Sequence, residues 1–190
     1  MKKYVSPNNP NSEAQQLVRA TFALTSAGWS ALTEAQRNLW NAAAPDWANT
    51  GIFGNKSQSG KNLYTGCNIA LAMAGLNSID EPSEKTLSAT IQDISINPSL
   101  IVHIAASNNV DDNAIQIALS SPLSVGTSVV PKVSIFQNHP MIEDVTINLK
   151  AAYLLKYGAG AVGSKVGYEI RSVSKGGNVS LLQSGIFTLV

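Results

Sequence analysis

Charged residues and cysteine are both scarce in this chain, and their scarcity excludes several classes of function. Only 13% of the 190 residues are charged, which is about half of the share usual in globular proteins. The single cysteine, Cys67, rules out a disulfide within the chain. The net charge is +1 and the basic residues form no cluster. We therefore expect no nucleic acid partner, because neutralising phosphates requires clustered Lys and Arg.

Long hydrophobic runs are also missing from the sequence. No stretch of about 18 apolar residues is present, so we expect no membrane partner. The segment after Met1 is polar and carries no apolar core of a signal peptide, which predicts synthesis and folding in a cytoplasm. The apolar fraction of 44% nevertheless predicts a real core. This length allows one domain or two small ones.

Residues that could carry chemistry are few and isolated. The two histidines, His103 and His139, have no second ligand at metal-binding spacing. Asp111-Asp112-Asn113 lacks the further carboxylates of a calcium site. The glycines from Gly158 to Gly163 match a dinucleotide fingerprint in letters, but a strand pattern follows them where a helix is required. The sequence therefore predicts a non-enzyme without cofactor or metal.

What the sequence does contain is a repeated helix-start pattern between Asn11 and Pro45. Ser12 is followed three residues later by Gln15, and Thr33 by Gln36, which is the capping-box spacing. These starts predict helices over 13–27 and 34–44, and apolar periodicity predicts a third over 60–74. Gly28, Pro45 and Gly75 are the predicted stops.

Apolar side chains recur at helical spacing within these segments. In the first helix they are Ala14, Leu17, Val18, Phe22 and Leu24; in the second, Leu39, Ala42 and Ala43 share a face with Trp40 beside it; in the third they are Leu63, Cys67, Ala70, Leu71 and Ala74. All three tryptophans fall between residues 29 and 47. Large aromatic side chains bury much area, so we interpret the tryptophans mainly as the core of a small helical module.

Residues 1–11 contain two prolines and three asparagines, a composition that predicts an extended arm over 1–12. We predict that this arm and one face of the helical module contact another protein. The predicted interface residues are Tyr4, Pro7, Pro10, Trp29, Trp40 and Trp47.

From Ser88 onward the periodicity becomes that of strands. The predicted strands cover 89–96, 100–106, 114–119, 129–136, 145–150, 165–174 and 180–190, with a hairpin turn at Gly176-Gly177-Asn178. About seven short strands with turn signals between them are typical of a β-sandwich. With a linker in 77–87, the predicted organisation is an arm over 1–12, a helical module over 13–82 and a sandwich over 83–190. The fold class is therefore α+β.

Two stretches resemble known families. The alternating strand from Lys165, its Gly/Asn turn and the following Ser180 resemble the last two strands of fibronectin type III-like domains, a relative of the immunoglobulin (Ig-like) sandwich. The second resemblance is to an N-terminal module of proteins encoded among bacteriophage and prophage structural genes. It rests on Asn9–Gln15, Arg19, Phe22, Trp29, Leu32–Arg37, Trp40, Ser59-Gly60, Leu63-Tyr64 and Asn68.

The second resemblance covers roughly residues 7–82 and departs at Asn55-Lys56, where that family often carries more arginine. It implies a bacteriophage virion structural protein, capsid-associated or tail-associated, of minor, accessory or decoration type. Such a protein would dock onto other virion proteins through its arm and helices and present its sandwich, so it would act through protein-protein interaction. The resemblance leaves open whether it also forms a homo-oligomer. The alternatives are a prophage-derived cytoplasmic protein-binding module, or a DNA-contacting regulator using the first two helices with Arg19 and Arg37.

Overall fold

The computed structural model describes residues 12–47, 49–51, 54–56, 58–83, 91–96, 99–106, 114–129, 134–140, 145–160, 163–180 and 182–189. Within these ranges the chain is α+β, with four α-helices and antiparallel sheets, as the sequence predicts at that level. The arm residues Tyr4, Pro7 and Pro10, and the Asp111-Asp112-Asn113 segment, lie outside the described residues. Two compact units are present, one ending at Thr65 and the other beginning at Gly66.

The first unit contains two helices, α1 (Glu13–Ala31) and α2 (Glu34–Ala43), and the start of a third, α3 (Gly60–Ala74). A 3₁₀ turn over Ala44–Trp47 follows α2, and a small hairpin of β1 (Asn49–Gly51) and β2 (Gly54–Lys56) precedes α3. The sequence predicts no strand before residue 89, so this hairpin was not predicted.

Both predicted helix starts are confirmed. The Ser12 hydroxyl accepts a hydrogen bond from the Gln15 backbone amide. At Thr33 both halves of the capping box are present, because the Gln36 side chain also accepts from the Thr33 amide at 2.9 Å. These bonds satisfy amides that no helical carbonyl can reach.

The predicted stop at Gly28 is wrong, since α1 continues to Ala31 and is capped by Leu32. Gly28 serves packing instead, because a Cβ at this position would collide with the Tyr64 hydroxyl. At the end of α3, by contrast, Gly75 takes φ +74° as predicted. The Leu76 amide donates to the Leu71 carbonyl and the Gly75 amide to the Ala72 carbonyl, which is the Schellman pattern.

The second unit is built on two antiparallel sheets. Their strands are β3 (Ile91–Ile96), β4 (Ile101–Ala106), β5 (Ala114–Leu119), β6 (Ser134–Pro140), β7 (Val145–Asn148), β8 (Lys165–Val173) and β9 (Gln183–Thr188). One sheet has the order β3-β4-β7 and the other β6-β5-β8-β9. Val102 and Ile147 of the first sheet share one buried cluster with Ile117 and Ile170 of the second. The two sheets therefore face each other across a common core.

A fourth helix, α4 (Lys150–Tyr157), connects β7 to β8 and was not predicted. Its Tyr153 is buried in the core between the sheets, and the Tyr157 hydroxyl donates to the Leu119 carbonyl at 3.1 Å. A second difference concerns β6, which extends to Pro140. His139, which lies beyond the predicted strand over 129–136, is therefore a strand residue opposite Ile115.

The C-terminal half of α3 covers the outer face of the larger sheet. Ala74 packs against Ala114 and Val173, and the Gln116 side chain donates to the Met73 carbonyl at 2.7 Å. Asn68 exchanges two hydrogen bonds with the backbone of Ile79, at 2.8 and 3.1 Å. The first residues of the predicted linker are thus fastened to α3. The compact units divide inside α3, whereas the predicted domain boundary at 82/83 stays a prediction.

Candidate functional site

An aromatic cluster forms the centre of the first unit. Trp40 is completely buried and meets the Tyr64 ring edge-on, with the centroids 5.3 Å apart. Trp29, which is half-buried, lies on the same ring at 5.6 Å. Trp40 has no exposed surface, so it belongs to the core, as the sequence predicts for most of the tryptophans. Its assignment to the predicted interface is therefore wrong, because a completely buried side chain cannot contact a partner.

The other tryptophan of the predicted interface, Trp47, is half-buried at the end of the 3₁₀ turn. Its carbonyl accepts a hydrogen bond from the Gln58 side chain at 3.2 Å. Trp29 and Trp47 therefore remain the only members of the predicted interface set that both lie among the described residues and retain surface.

Arg37 holds the two helices together. Its guanidinium donates to the carbonyls of Trp29 and Ser30, at 3.3 and 2.9 Å. These carbonyls lie in the last turn of α1, where helix carbonyls lack amide donors and where positive charge is favourable. Arg37 was one of two arginines assigned to a DNA-contacting alternative, and the structure uses it within the chain.

The apolar stripe of α1 is split into a covered half and an open half. At 3.6 residues per turn, Leu17, Val18, Phe22 and Leu24 share a broad face with Thr25, Gly28 and Trp29. The latter three lie in the C-terminal half, where Thr25 is buried and Tyr64 packs on Gly28 and Trp29. The N-terminal four are exposed, by 58, 51, 55 and 74% respectively.

We name Leu17, Val18, Phe22 and Leu24 the α1 surface. The sequence predicted the stripe but did not predict that it lies open. Two contacts cover the C-terminal end of α1: Tyr64 of α3 packs on Gly28 and Trp29, and Arg37 of α2 bonds the carbonyls of Trp29 and Ser30. The nineteen residues of α1 span about 28 Å, so contacts at that end leave much of the helix uncovered.

Helix α1 carries few charged side chains. Its sequence contains only Glu13 and Arg19 as charged residues. Isolated exposed hydrophobic residues are normal on a protein surface, but a contiguous apolar group marks an interaction site. The α1 surface is therefore the strongest candidate functional site in the first unit.

Metal-binding geometry is not found among the described residues. No group of three His, Cys, Asp or Glu in that part of the chain could hold a metal ion. His103 is exposed on β4, and its Nδ1 lies 3.0 Å from the hydroxyl of Thr146, the residue opposite on β7. The Gly158 segment follows helix α4 and precedes strand β8, the reverse of the strand-then-helix order that binds a dinucleotide.

Cys67 is a buried thiol on α3, as its apolar surroundings predicted. Burial raises the pKa of this thiol from 9.0 to about 12. Because the thiolate is the nucleophile, the native protein should react with a disulfide reagent at pH 8 at least about a hundred times more slowly than the unfolded chain. Timed labelling with and without denaturant measures this ratio.

The same pKa shift gives the direction of a pH effect on stability. The folded protein resists thiol ionisation, so its stability is complete below about pH 9 and falls as the pH rises from 9 toward 12.

In the labelling experiment, equally rapid reaction of native and unfolded protein would show that Cys67 is accessible. A Cys67→Ser variant, which cannot be labelled, is the blank.

No helix among the described residues has both the length and the apolar character needed to cross a bilayer. Comparison of the chain with protein-family models, curated proteins and solved structures finds no match in any of the three.

Proposed function

We propose that this protein is a non-enzymatic bacteriophage virion structural protein that docks onto other virion proteins through its helical module. The observation that carries the proposal is the α1 surface, four large apolar side chains exposed on one broad face of a helix with two charged residues. Apolar area of this kind is stabilised by removal from water, at about 25 cal/mol per Å². Docking onto another protein supplies that burial.

We further propose that the second unit is a sandwich of the fibronectin type III kind. Support comes from the strand orders β3-β4-β7 and β6-β5-β8-β9. In a constant-type immunoglobulin domain the fourth strand joins the sheet of the first, second and fifth. Here the fourth strand of the unit, β6, lies beside the third, β5, at the position called C′. The resemblance of residues 165–180 to the last two strands of such domains points the same way.

A structural role fits the properties of the exposed residues better than a DNA-contacting role. DNA binding requires a basic stripe, and the two-helix unit has only Arg19 and Arg37, of which Arg37 bonds the end of α1. A prophage-derived cytoplasmic binding module would use the same α1 surface. Whether the protein is found in purified virions or only in the host cytoplasm distinguishes the virion structural role from the cytoplasmic module.

The α1 surface gives a direct test in assembled particles. A Leu17→Ser/Phe22→Ser variant should fold normally but be incorporated at least about tenfold less than wild type, because each buried apolar contact contributes roughly 1–2 kcal/mol to docking. Mass spectrometry of purified particles measures the ratio, and circular dichroism checks the fold.

The matched control is Leu155→Ser, which removes a leucine that is also exposed but lies on α4. Its incorporation should equal that of wild type. Absence of the wild-type protein from mature particles would refute the virion role and favour the cytoplasmic module. Equal loss in both variants would remove the assignment of docking to α1.

A further inference from the structure

The described sheets of the second unit end in four edge strands, and three of them carry features that oppose pairing with another chain. On β3 the register with β4 shifts between Ile91 and Asp93. β7 is only four residues long. β6 ends at Pro140, which has no amide hydrogen, and its register with β5 also shifts. Irregular register, shortness and proline are the usual protections of a sheet edge.

The fourth edge strand, β9, has none of these protections. It pairs with β8 over six residues without a register shift. It contains no proline, and no side chain from Gly176 to Val190 carries a charge. Its one glycine, Gly185, is covered by the ring of Tyr168 directly opposite, so the strand stays regular where a glycine would weaken it.

The hydrogen-bond pattern identifies which backbone groups of β9 point outward. The Leu189 amide donates to the Ser164 carbonyl at 2.8 Å. Bonded positions alternate along an antiparallel pair, so Phe187, Gly185 and Gln183 also direct their backbone groups toward β8. The amides and carbonyls of Ser184, Ile186 and Thr188 then face away from it. The side chains of Ser184 and Thr188 are exposed.

We propose that β9 pairs antiparallel with β9 of a second copy of this chain, with the twofold axis at Ile186, to form one continuous sheet across the dimer. This register places Ser184 of each copy opposite Thr188 of the other and Ile186 opposite itself. All three outward-facing residues then pair, with about six backbone hydrogen bonds in total.

A second copy fits this edge because the strand is complementary to itself. The Ser–Thr and Ile–Ile pairs are favourable across strands, and like charges, which would oppose a twofold pair, are absent. A twofold interface requires one surface to match itself in this way. A single added strand buries less than the roughly 1,200 Å² of a stable complex. The dimer is therefore weak and dependent on concentration.

The test uses the full chain in solution and does not depend on virion particles, so its failure leaves the proposed function intact. Wild type should show a monomer–dimer equilibrium by sedimentation at concentrations up to about 1 mM, the range for a small interface. Ile186→Lys and Ile186→Glu should each be monomeric, because like charges meet at the axis. An equimolar mixture should dimerise again, since opposite charges then face each other.

Leu155→Lys adds the same charge on α4 and should dimerise as wild type does. Hydrogen exchange of the wild type gives a second readout that needs no variant. The amides of Ser184, Ile186 and Thr188 should become more protected as concentration rises, while those of Gly185 and Phe187 should not change. A monomeric wild type, a dimeric Ile186→Lys protein, a mixture that stays monomeric, or unchanged exchange at Ile186 would each overturn the proposal.

Discussion

Gly177→Ala is expected to lower the free energy of unfolding by about 2–4 kcal/mol, the sum of a strained backbone and an overpacked contact. Gly177 has φ +79°, a conformation that residues with a side chain rarely adopt. An added Cβ would also lie 2.7 Å from the Cα and the carbonyl oxygen of Cys67. Those atoms belong to the backbone of α3, so they cannot move aside as a flexible side chain would.

The surrounding turn has little freedom to relax around the new methyl group. The Ser174 hydroxyl accepts from the Asn178 amide at 3.2 Å, and the Ser180 hydroxyl accepts from the Ser172 amide at 2.8 Å. These bonds fix the β8–β9 connection on both sides of Gly177. Strain introduced at this position must therefore displace either the turn or α3.

Urea denaturation followed by far-ultraviolet circular dichroism measures the effect. The matched control is Gly66→Ala on α3, where an added Cβ meets nothing within 4 Å. That change should stabilise the protein by about 0.5–1 kcal/mol, because alanine favours a helix interior. A Gly177→Ala variant as stable as wild type would show that the turn does not approach α3 as closely as described.

Local signals predicted the elements whose causes are local. Thr33 and Gln36 bond each other within one helical turn, and Gly75 ends α3 through its own backbone conformation, so neighbouring residues contain the whole cause. The turn at Gly176-Gly177-Asn178 was predicted for the same reason. Its contact with Cys67 was not, because more than a hundred residues separate the two in the chain.

Strand β5 shows where such reasoning fails. Its alternating sequence predicts one solvent-exposed face, yet all six residues are buried. Ile115, Ile117 and Leu119 enter the core between the sheets, while Gln116 on the other face bonds the end of α3 and Arg171. Nothing in the strand itself indicates that a helix from earlier in the chain covers it.

Helix α4 was missed because it lacks an ordinary start signal. Its N-cap is Leu149, which makes no side-chain cap bond. Asn148, one residue earlier, accepts from the Lys150 amide instead. An asparagine two residues before a run of good helix formers was the available indication.

The candidate site was predicted only in part, for a similar reason. Periodicity identified the α1 stripe, but whether a stripe is buried depends on what lies against it. The tryptophans were assigned mainly to the core, and complete burial of Trp40 confirms this for one of them. On α2, the apolar face that Leu39 shares with Ala42 and Ala43 is not the buried one, since Leu39 is exposed and the adjacent Trp40 is completely buried.

Because Leu39 and Trp40 are neighbours in the chain with different burial, a substitution at Trp40 has its control at Leu39. Trp40→Ala should destabilise the first unit by about 3–5 kcal/mol, the usual range for removing a buried tryptophan. It also removes the edge-on contact with Tyr64, and such aromatic pairs contribute about 0.5–1.5 kcal/mol beyond buried area. Leu39→Ala should change stability by less than about 1 kcal/mol, because Leu39 is already 48% exposed.

Tryptophan fluorescence makes the measurement specific to the first unit. All three tryptophans lie between residues 29 and 47, so the remaining Trp29 and Trp47 still report its unfolding in the Trp40→Ala variant. The fluorescence midpoint in urea should fall far below that of wild type, and the Leu39→Ala midpoint should stay close to it. If the two variants lose similar stability, Trp40 is not the centre of this core.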